Sequence, residues 1–472
     1  MSTIKTPAQH KSIPVGKQRS YAELVEFFDA HWAPQHVETK QSIERMKALD
    51  KALAHPSQKT PAIFICGTNG KSLTSYFTSR LLAHEGLTVA TMLTPHILSY
   101  QERFTLDSET LSSKNFADIA NEVINTCQAH TIAATTQELL TMMAFVVAEQ
   151  SKANVLVLEL EKGGSSHPAS FVQPKIVGLT RITAHEVNAK GLALEPALND
   201  YLGVVQKDVH FVSADQNKTN LLHMAEHAQK VNGLWAMPVR KLPSLVYPFE
   251  QLHGRCAALA ERIASIFIND VIDEKSIKAD SLLYKTKGQR GRPTLEAKRE
   301  LELNPKRTLE HFWKEISVTL SGHFQIFEKE KPTILIDNPD NIDAYENFLL
   351  GIRLMHYQRT LKGLTLILGL HKDHLDYPEF LHLTRYFFKK TAGHIMLCPV
   401  PEQAGIHQSS WDAEKVAHDL KNLKVKAKAF RSFKDALEAA KKSVTDRSGL
   451  IAIGGPASLL AEYWHSKGLK KI

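Results

Sequence analysis

Ala62-Ile63-Phe64-Ile65-Cys66 runs straight into Gly67-Thr68-Asn69-Gly70-Lys71-Ser72. The first five residues are an uninterrupted apolar run, which reads as a buried strand. From about Leu73 to His84 the apolar spacing is helical, and Gly86 is a natural C-terminal stop. Strand, glycine loop and helix in that order are what phosphate binding requires. Glycines let backbone N–H groups converge on phosphate oxygens, and the helix N-terminus adds a favourable dipole. Lys71 would reach the outer phosphates of a nucleotide, and the Ser72 hydroxyl would hold Mg²⁺. The general pattern asks for a glycine five residues before Gly70, where this chain has Ile65. The loop is therefore a shortened variant.

Outward from the loop, strands and helices alternate. Tyr21–Trp32 and Ile43–Ala54 have helical spacing ahead of it. Behind it come a strand at Thr88–Leu93, a helix at Glu138–Gln150, a strand at Val155–Glu159 and a strand at Lys175–Thr180. Alternation of this kind predicts a parallel sheet in an α/β domain. Glu159 closes an apolar strand, at the edge where open parallel sheets bind their ligands. Gln251–Asn269 reads as a further helix. Residues 273–307 then turn strongly charged, with Lys285, Lys287, Arg290, Arg292, Lys298, Arg299, Lys306 and Arg307, and read as a solvated insertion.

A second alternation begins near residue 318. Its strands are Thr333–Ile336, Leu364–Leu368, His394–Leu397, Val425–Phe430 and Leu450–Ile453. Its helices are Ala344–Met355, Tyr377–Lys390, Trp411–Leu420 and Phe433–Lys442. The pattern is Rossmann-like, but no GxGxxG stands at its first turn, which argues against a dinucleotide.

Composition narrows the class. The 472 residues suit two large units or three small ones. With 43% hydrophobic and 23% charged residues, the chain is neither disordered nor fibrous. No apolar run approaches the roughly 20 residues that span a bilayer, and Met1–Ser20 has no apolar h-region. Lys and Arg number 58 against 50 Asp and Glu, a net +8. That suits an anionic ligand but is too diffuse to argue for nucleic acid. Cys66, Cys127, Cys256 and Cys398 form no CxxC pair, so neither a disulfide framework nor a structural zinc site is implied.

Gly-Thr-Asn-Gly-Lys-Ser resembles the loop of the Mur ligase superfamily. Other stretches, in order, resemble its folylpolyglutamate synthase and dihydrofolate synthase branch: Ser42–Leu49 ahead of the loop, Thr94-Pro95-His96, Glu102-Arg103, Thr136–Thr141, Leu158-Glu159-Leu160 with Gly163-Gly164, and Gly254-Arg255. Gly322–Gln325, Ile336-Asp337 and Gly369–Asp373 continue the likeness, which covers about residues 40–460. The resemblance implies an α/β fold with a P-loop Mur-ligase-type ATPase domain followed by a Rossmann-like C-terminal domain. We expect a flexible tail over 1–20, the ATP-binding domain over 21–317 and the C-terminal domain over 318–472, with a cleft between them. The implied activity joins a carboxylate to an amine through an acyl phosphate, here L-glutamate to a folate, with ATP and Mg²⁺. The composition reads as that of a cytoplasmic chain that uses neither membrane nor nucleic acid, and the resemblance implies a monomer.

The resemblance also assigns residues. Lys71, Glu159 and His96 are the catalytic candidates. Gly67, Thr68, Asn69, Gly70, Lys71, Ser72, Arg255, Asp337 and Asn341 would hold the nucleotide. Ser72, Glu159 and Glu186 would hold metal, with His185 as the alternative to Glu186. Several positions depart from the family pattern. Tyr201 stands at a carbamylated lysine that bridges towards a second metal, and Ala260 stands at an adenine-contacting Asn. His323 replaces an Arg and Asp340 a His. A degenerate nucleotide-binding relative, or a ligase for another acid and amine, is the alternative these departures raise.

Overall fold

In the computed structural model, residues 16–32, 39–237, 245–278, 280–284, 308–316, 320–359, 361–372, 376–402, 409–444 and 448–469 are described. The loop's strand, β1 (Ala62–Cys66), lies inside an eight-stranded sheet. The other strands are β2 (Val89–Met92), β3 (Phe104–Leu106), β4 (Glu109–Thr110), β5 (Val155–Glu159), β6 (Ile176–Leu179), β7 (His210–Ser213) and β8 (Leu234–Ala236). The order is β4-β3-β2-β5-β1-β6-β7-β8. The six strands from β2 to β8 run parallel, as the alternation predicts, and β3 and β4 add an antiparallel edge.

β1 is buried on both faces, which explains its unbroken apolar sequence. Ala62, Phe64 and Cys66 point into one core, and Ile63 and Ile65 into the other. The first core takes α1 (Tyr21–Ala30), α2 (Thr39–Ala52), α4 (Ser113–Ala129) and α5 (Thr136–Gln150). The second takes α3 (Lys71–His84) and α8 (Phe249–Ile266), whose Phe77, Leu81, Ala260 and Ile263 cover β1 and β6. Phe77, Leu81 and Ile263 each contribute about 1.5–3 kcal/mol by full burial. Ala260, which stands where the resemblance places an adenine-contacting Asn, is thus a core residue with no exposed surface.

Two stretches read separately in the sequence meet here. Arg45 of α2 forms a bidentate pair with the buried Glu138 of α5, with Nη2–Oε1 at 2.7 Å and Nε–Oε2 at 3.0 Å. Residues 16–20, assigned above to a loose tail, are held: the side chain of Arg19 is buried and donates to Asn125 Oδ1 at 2.9 Å, and Ser20 caps α1. The sequence reading passed over α4, α6 (Glu195–Leu202), α7 (Lys218–Lys230), β7 and β8. The signal for α4 was available, since Ser112 caps it and Phe116, Ile119, Ala120, Val123, Ile124 and Cys127 follow helical spacing.

The second sheet has six strands: β9 (Gln325–Phe327), β10 (Thr333–Asp337), β11 (Leu364–Leu368), β12 (His394–Leu397), β13 (Ala427–Ala429) and β14 (Leu450–Gly454). Their order is β13-β12-β11-β14-β10-β9, and only β9 is antiparallel. Helices Ile342–Gln358, Tyr377–Lys390, Ala413–Asn422 and Phe433–Ser443 fall between the strands. The expected boundary at 317/318, most of the basic insertion and Asp373 lie outside the described residues.

Candidate functional site

The carboxyl end of β1 carries the loop. Gly67 has φ +123°, and a Cβ there would stand 2.3 Å from Thr180 Oγ1. Gly70 has φ +86°, and a Cβ there would stand 2.9 Å from Cys256 Sγ on α8. Both positions need glycine, one for fit against β6 and both for backbone conformation. The loop is pinned by Thr68 N–H, which donates to Arg181 O at 2.8 Å. α3 begins at Gly70 with no side-chain cap, so its first N–H groups stay open to an anion. Lys71 Nζ folds over the loop and donates to Gly67 O at 2.9 Å and Thr68 O at 3.2 Å.

Glu159 arrives from β5, whose register pairs it with Ile65. It is 1% exposed. Oε1 accepts from Ser72 Oγ at 3.0 Å, and Oε2 from Thr94 N–H at 3.3 Å. Burial pushes its carboxyl up to about 7, against the opposing pull of Lys71, Ser72 and Thr94. Ser72 Oγ also lies 3.3 Å from Thr94 O, so a buried carboxylate, a hydroxyl and a backbone carbonyl form an all-oxygen donor set, which fits a hard divalent cation. Among the described residues, no group of three or more His, Cys, Asp or Glu side chains gathers as a metal site.

The 3₁₀ turn Ala184–Glu186 turns the two candidates in different directions. His185 is exposed, while Glu186 turns inward to the loop. Tyr201, from α6, donates its hydroxyl to Glu186 Oε1 and Oε2 at 2.9 and 3.0 Å. Thr68 Oγ1 also donates to Glu186 Oε2 and accepts from Thr183 N–H at 3.0 Å. Burial and the neighbouring Glu186 carboxylate raise the Tyr201 phenol far above its ordinary value, so it is a neutral donor.

The facing wall comes from the second sheet. Asn69 Nδ2 donates to Asn341 Oδ1 at 3.1 Å and to Asp343 Oδ2 at 2.7 Å, and Asn341 Nδ2 donates back to Asn69 Oδ1 at 2.8 Å. Arg181, just beyond β6, pairs with Asp343 at 2.8 Å. Asp337, at the end of β10, accepts from the N–H groups of Phe324 and Asn338, each at 3.0 Å. Burial raises its carboxyl to about 7. The sequence reading missed Arg181 and Asp343. The one signal for Arg181 was its place at the carboxyl end of an apolar strand.

The remaining candidates are more dispersed. Arg255 is exposed on α8, next to Cys256. His96 accepts from Arg103 Nε at 2.9 Å on Nδ1 and packs against Tyr100. Burial and the Arg103 charge hold it well below the ordinary histidine value. It is therefore neutral at pH 7, with its proton on Nε2. His323 donates from Nδ1 to Ser321 O at 2.9 Å, and Asp340 Oδ1 accepts from Asn341 at 3.0 Å.

No family model matches the chain. A dihydrofolate synthase/folylpolyglutamate synthase of Bacillus subtilis is 26% identical over 227 residues, 47% of this chain and 50% of that protein. A folylpolyglutamate synthase of Lacticaseibacillus casei is 24% identical over 202 residues, 42% of this chain and 46% of its own length. The sequence match thus spans about half the length of these curated relatives. Folds agree further. Mycobacterium tuberculosis folylpolyglutamate synthase complexed with ADP superposes at TM-score 0.73 and 15% identity, covering 95% of this chain and 98% of its own. The bifunctional folylpolyglutamate synthase/dihydrofolate synthase of Yersinia pestis, complexed with AMPPNP and Mn ion, superposes at 0.70 and 18%, covering 96% and 100%. The chain therefore has the two-domain α/β fold of the folylpolyglutamate synthases, as the resemblance of its loop implies.

Proposed function

We propose that this chain is an ATP-dependent ligase of the folylpolyglutamate synthase type, joining L-glutamate to a folate through an acyl phosphate. The observation that carries the reading is the glycine loop at Gly67–Ser72, open at the N-terminus of α3 and faced by Asn341 and Asp343 at the start of the helix after β10. The relatives in sequence and the solved neighbours with ADP or AMPPNP support it.

In this reading the backbone N–H groups of the loop and of α3 hold the phosphates of ATP. Lys71 leaves its loop carbonyls for the outer phosphates and balances the charge that builds on them as the substrate carboxylate attacks. Ser72 and Glu159 would hold Mg²⁺, which supplies further charge neutralisation when bound. Asp337 and Asn341 contribute polar groups from the facing wall, with Arg255 on α8 at the rim. His96 offers a neutral Nε2–H while Arg103 occupies Nδ1. The acyl phosphate is then opened by the amine of glutamate, releasing phosphate.

We further infer domains at 21–317 and 318–472 and a monomer in the cytoplasm. No described helix is long and apolar enough to cross a membrane. The test is release of ADP and phosphate that depends on both folate and glutamate. Nucleotide binding without that release would favour a non-catalytic relative or another acid–amine pair. The Glu186–Tyr201 contact, together with His323 and Asp340, is what keeps that second reading in view.

A further inference from the structure

The contact between Tyr201 and Glu186 carries more than a loss of function. The two residues are 15 positions apart on different elements, yet the phenol proton is shared by both carboxylate oxygens. The same carboxylate takes the hydroxyl proton of Thr68, and Thr68 takes the N–H of Thr183. Thr68 N–H is in turn bound to Arg181 O. Every polar atom of the Thr68 side chain and N–H is thereby fixed from the β6 side of the loop. Tyr201 is 3% exposed, so its hydroxyl has no ready exchange with water.

The disagreement with a second cation is chemical. A Mg²⁺ site wants near-octahedral oxygens that are anionic or free to turn towards it. Here the neutral phenol spans both Glu186 oxygens, and Oε2 also takes the Thr68 hydroxyl, whereas the side-chain donor on Glu159 is Ser72, itself a candidate oxygen ligand. We propose that Tyr201 is a positioning residue: through Glu186 it sets Thr68, and so holds the phosphate loop in its nucleotide-binding shape by hydrogen bonds where the resemblance implies a second metal. Glu186 is then a tether rather than a metal ligand. The inference rests on reading Gly67–Ser72 as the phosphate site.

The test is a double-mutant cycle read by titration with N-methylanthraniloyl-ADP and Mg²⁺. Tyr201→Phe removes one hydroxyl and keeps the ring, and Thr68→Val removes the hydroxyl at the other end. Each should weaken binding about tenfold, the worth of a hydrogen bond to a charged group. The double variant should bind no more weakly than Thr68→Val alone, because both act on one chain of contacts. Glu186→Gln should leave the Mn²⁺ count with nucleotide, measured by electron paramagnetic resonance, at that of the parent. Additive losses, parent-like binding by Tyr201→Phe, or loss of a bound Mn²⁺ in Glu186→Gln would overturn the proposal. Lys71→Ala separates the two readings. Unchanged binding in Lys71→Ala would overturn the phosphate-loop assignment itself. Lost binding there, beside unchanged binding in Tyr201→Phe, would overturn only the tether.

Discussion

β1 and β10 are both interior strands, β1 between two parallel neighbours and β10 beside the antiparallel edge strand β9. Each is buried, each ends in a short loop at its carboxyl edge, and each loop starts a long helix. The loops are built oppositely. After β1 come two glycines with positive φ, and the helix starts at Gly70 without a side-chain cap. After β10 comes Asn338-Pro339-Asp340-Asn341, with no glycine, and Asn341 Oδ1 caps the helix by accepting from Ala344 N–H at 3.0 Å. An uncapped helix start leaves donors for a phosphate, whereas a capped one satisfies them internally. The same architecture thus yields one open helix start and one self-contained wall, and Asn69 joins them.

The sharpest way to break this asymmetry is Lys71→Ala. Lys71 is the only cation in the Gly67–Ser72 loop, and losing it should cost about 10²–10³ in ATP turnover. ADP release under saturating substrates checks this. Parent-like turnover would mean the β1 loop is an ordinary turn. Glu159→Gln comes next. It should weaken the Mg²⁺ dependence of nucleotide binding by about tenfold or more, since ligand charge sets cation affinity. The fold should survive, because a neutral amide replaces a carboxyl that burial already disfavours in its charged form. An unchanged Mg²⁺ titration would remove Glu159 from the metal site.

Both of those residues were legible in the sequence because their signals are local. A run of apolar residues followed by glycines, Lys and Ser states its own geometry, and Val155–Glu159 states a strand ending in a carboxylate. The wall was harder to read. Asn69 meets Asn341 across 272 positions and Asp343 across 274, and no local pattern announces such a meeting. That Glu186 rather than His185 faces the loop likewise depended on which way one 3₁₀ turn faces.

The link between loop and wall should be weaker than either. Arg181 is 35% exposed in its pair with Asp343, so solvent screens the attraction. Pairs of this kind are worth about 0.2–1 kcal/mol, so Arg181→Ala should raise the KM for ATP by no more than about fivefold. Asp343→Ala also removes an acceptor for Asn69 and should cost somewhat more. A cycle of the two single variants and the double variant measures the coupling. A zero coupling energy would show that the β1 loop and the β10 wall do not act together through this pair.

The smallest effect belongs to Asp337, and it is read from pH. Burial raises its carboxyl from 3.8 to about 7, opposed by the N–H groups of Phe324 and Asn338 and reinforced by Asp340. Between those two values the folded chain holds a proton that the unfolded chain has released. Stability from this group is therefore complete below the unfolded value, declines as pH rises and is gone above the folded one. Asn at this position does not titrate, and its Oδ1 can still accept from both N–H groups. Asp337→Asn should match the parent near pH 4 and exceed it in thermal stability by about 2–4 °C at pH 8. The difference between the two melting curves isolates Asp337 from every other titrating group. A difference that stays flat from pH 4 to 8 would mean that the carboxylate is charged where it sits, and that the β10 wall presents an anion rather than a neutral acid to the β1 loop.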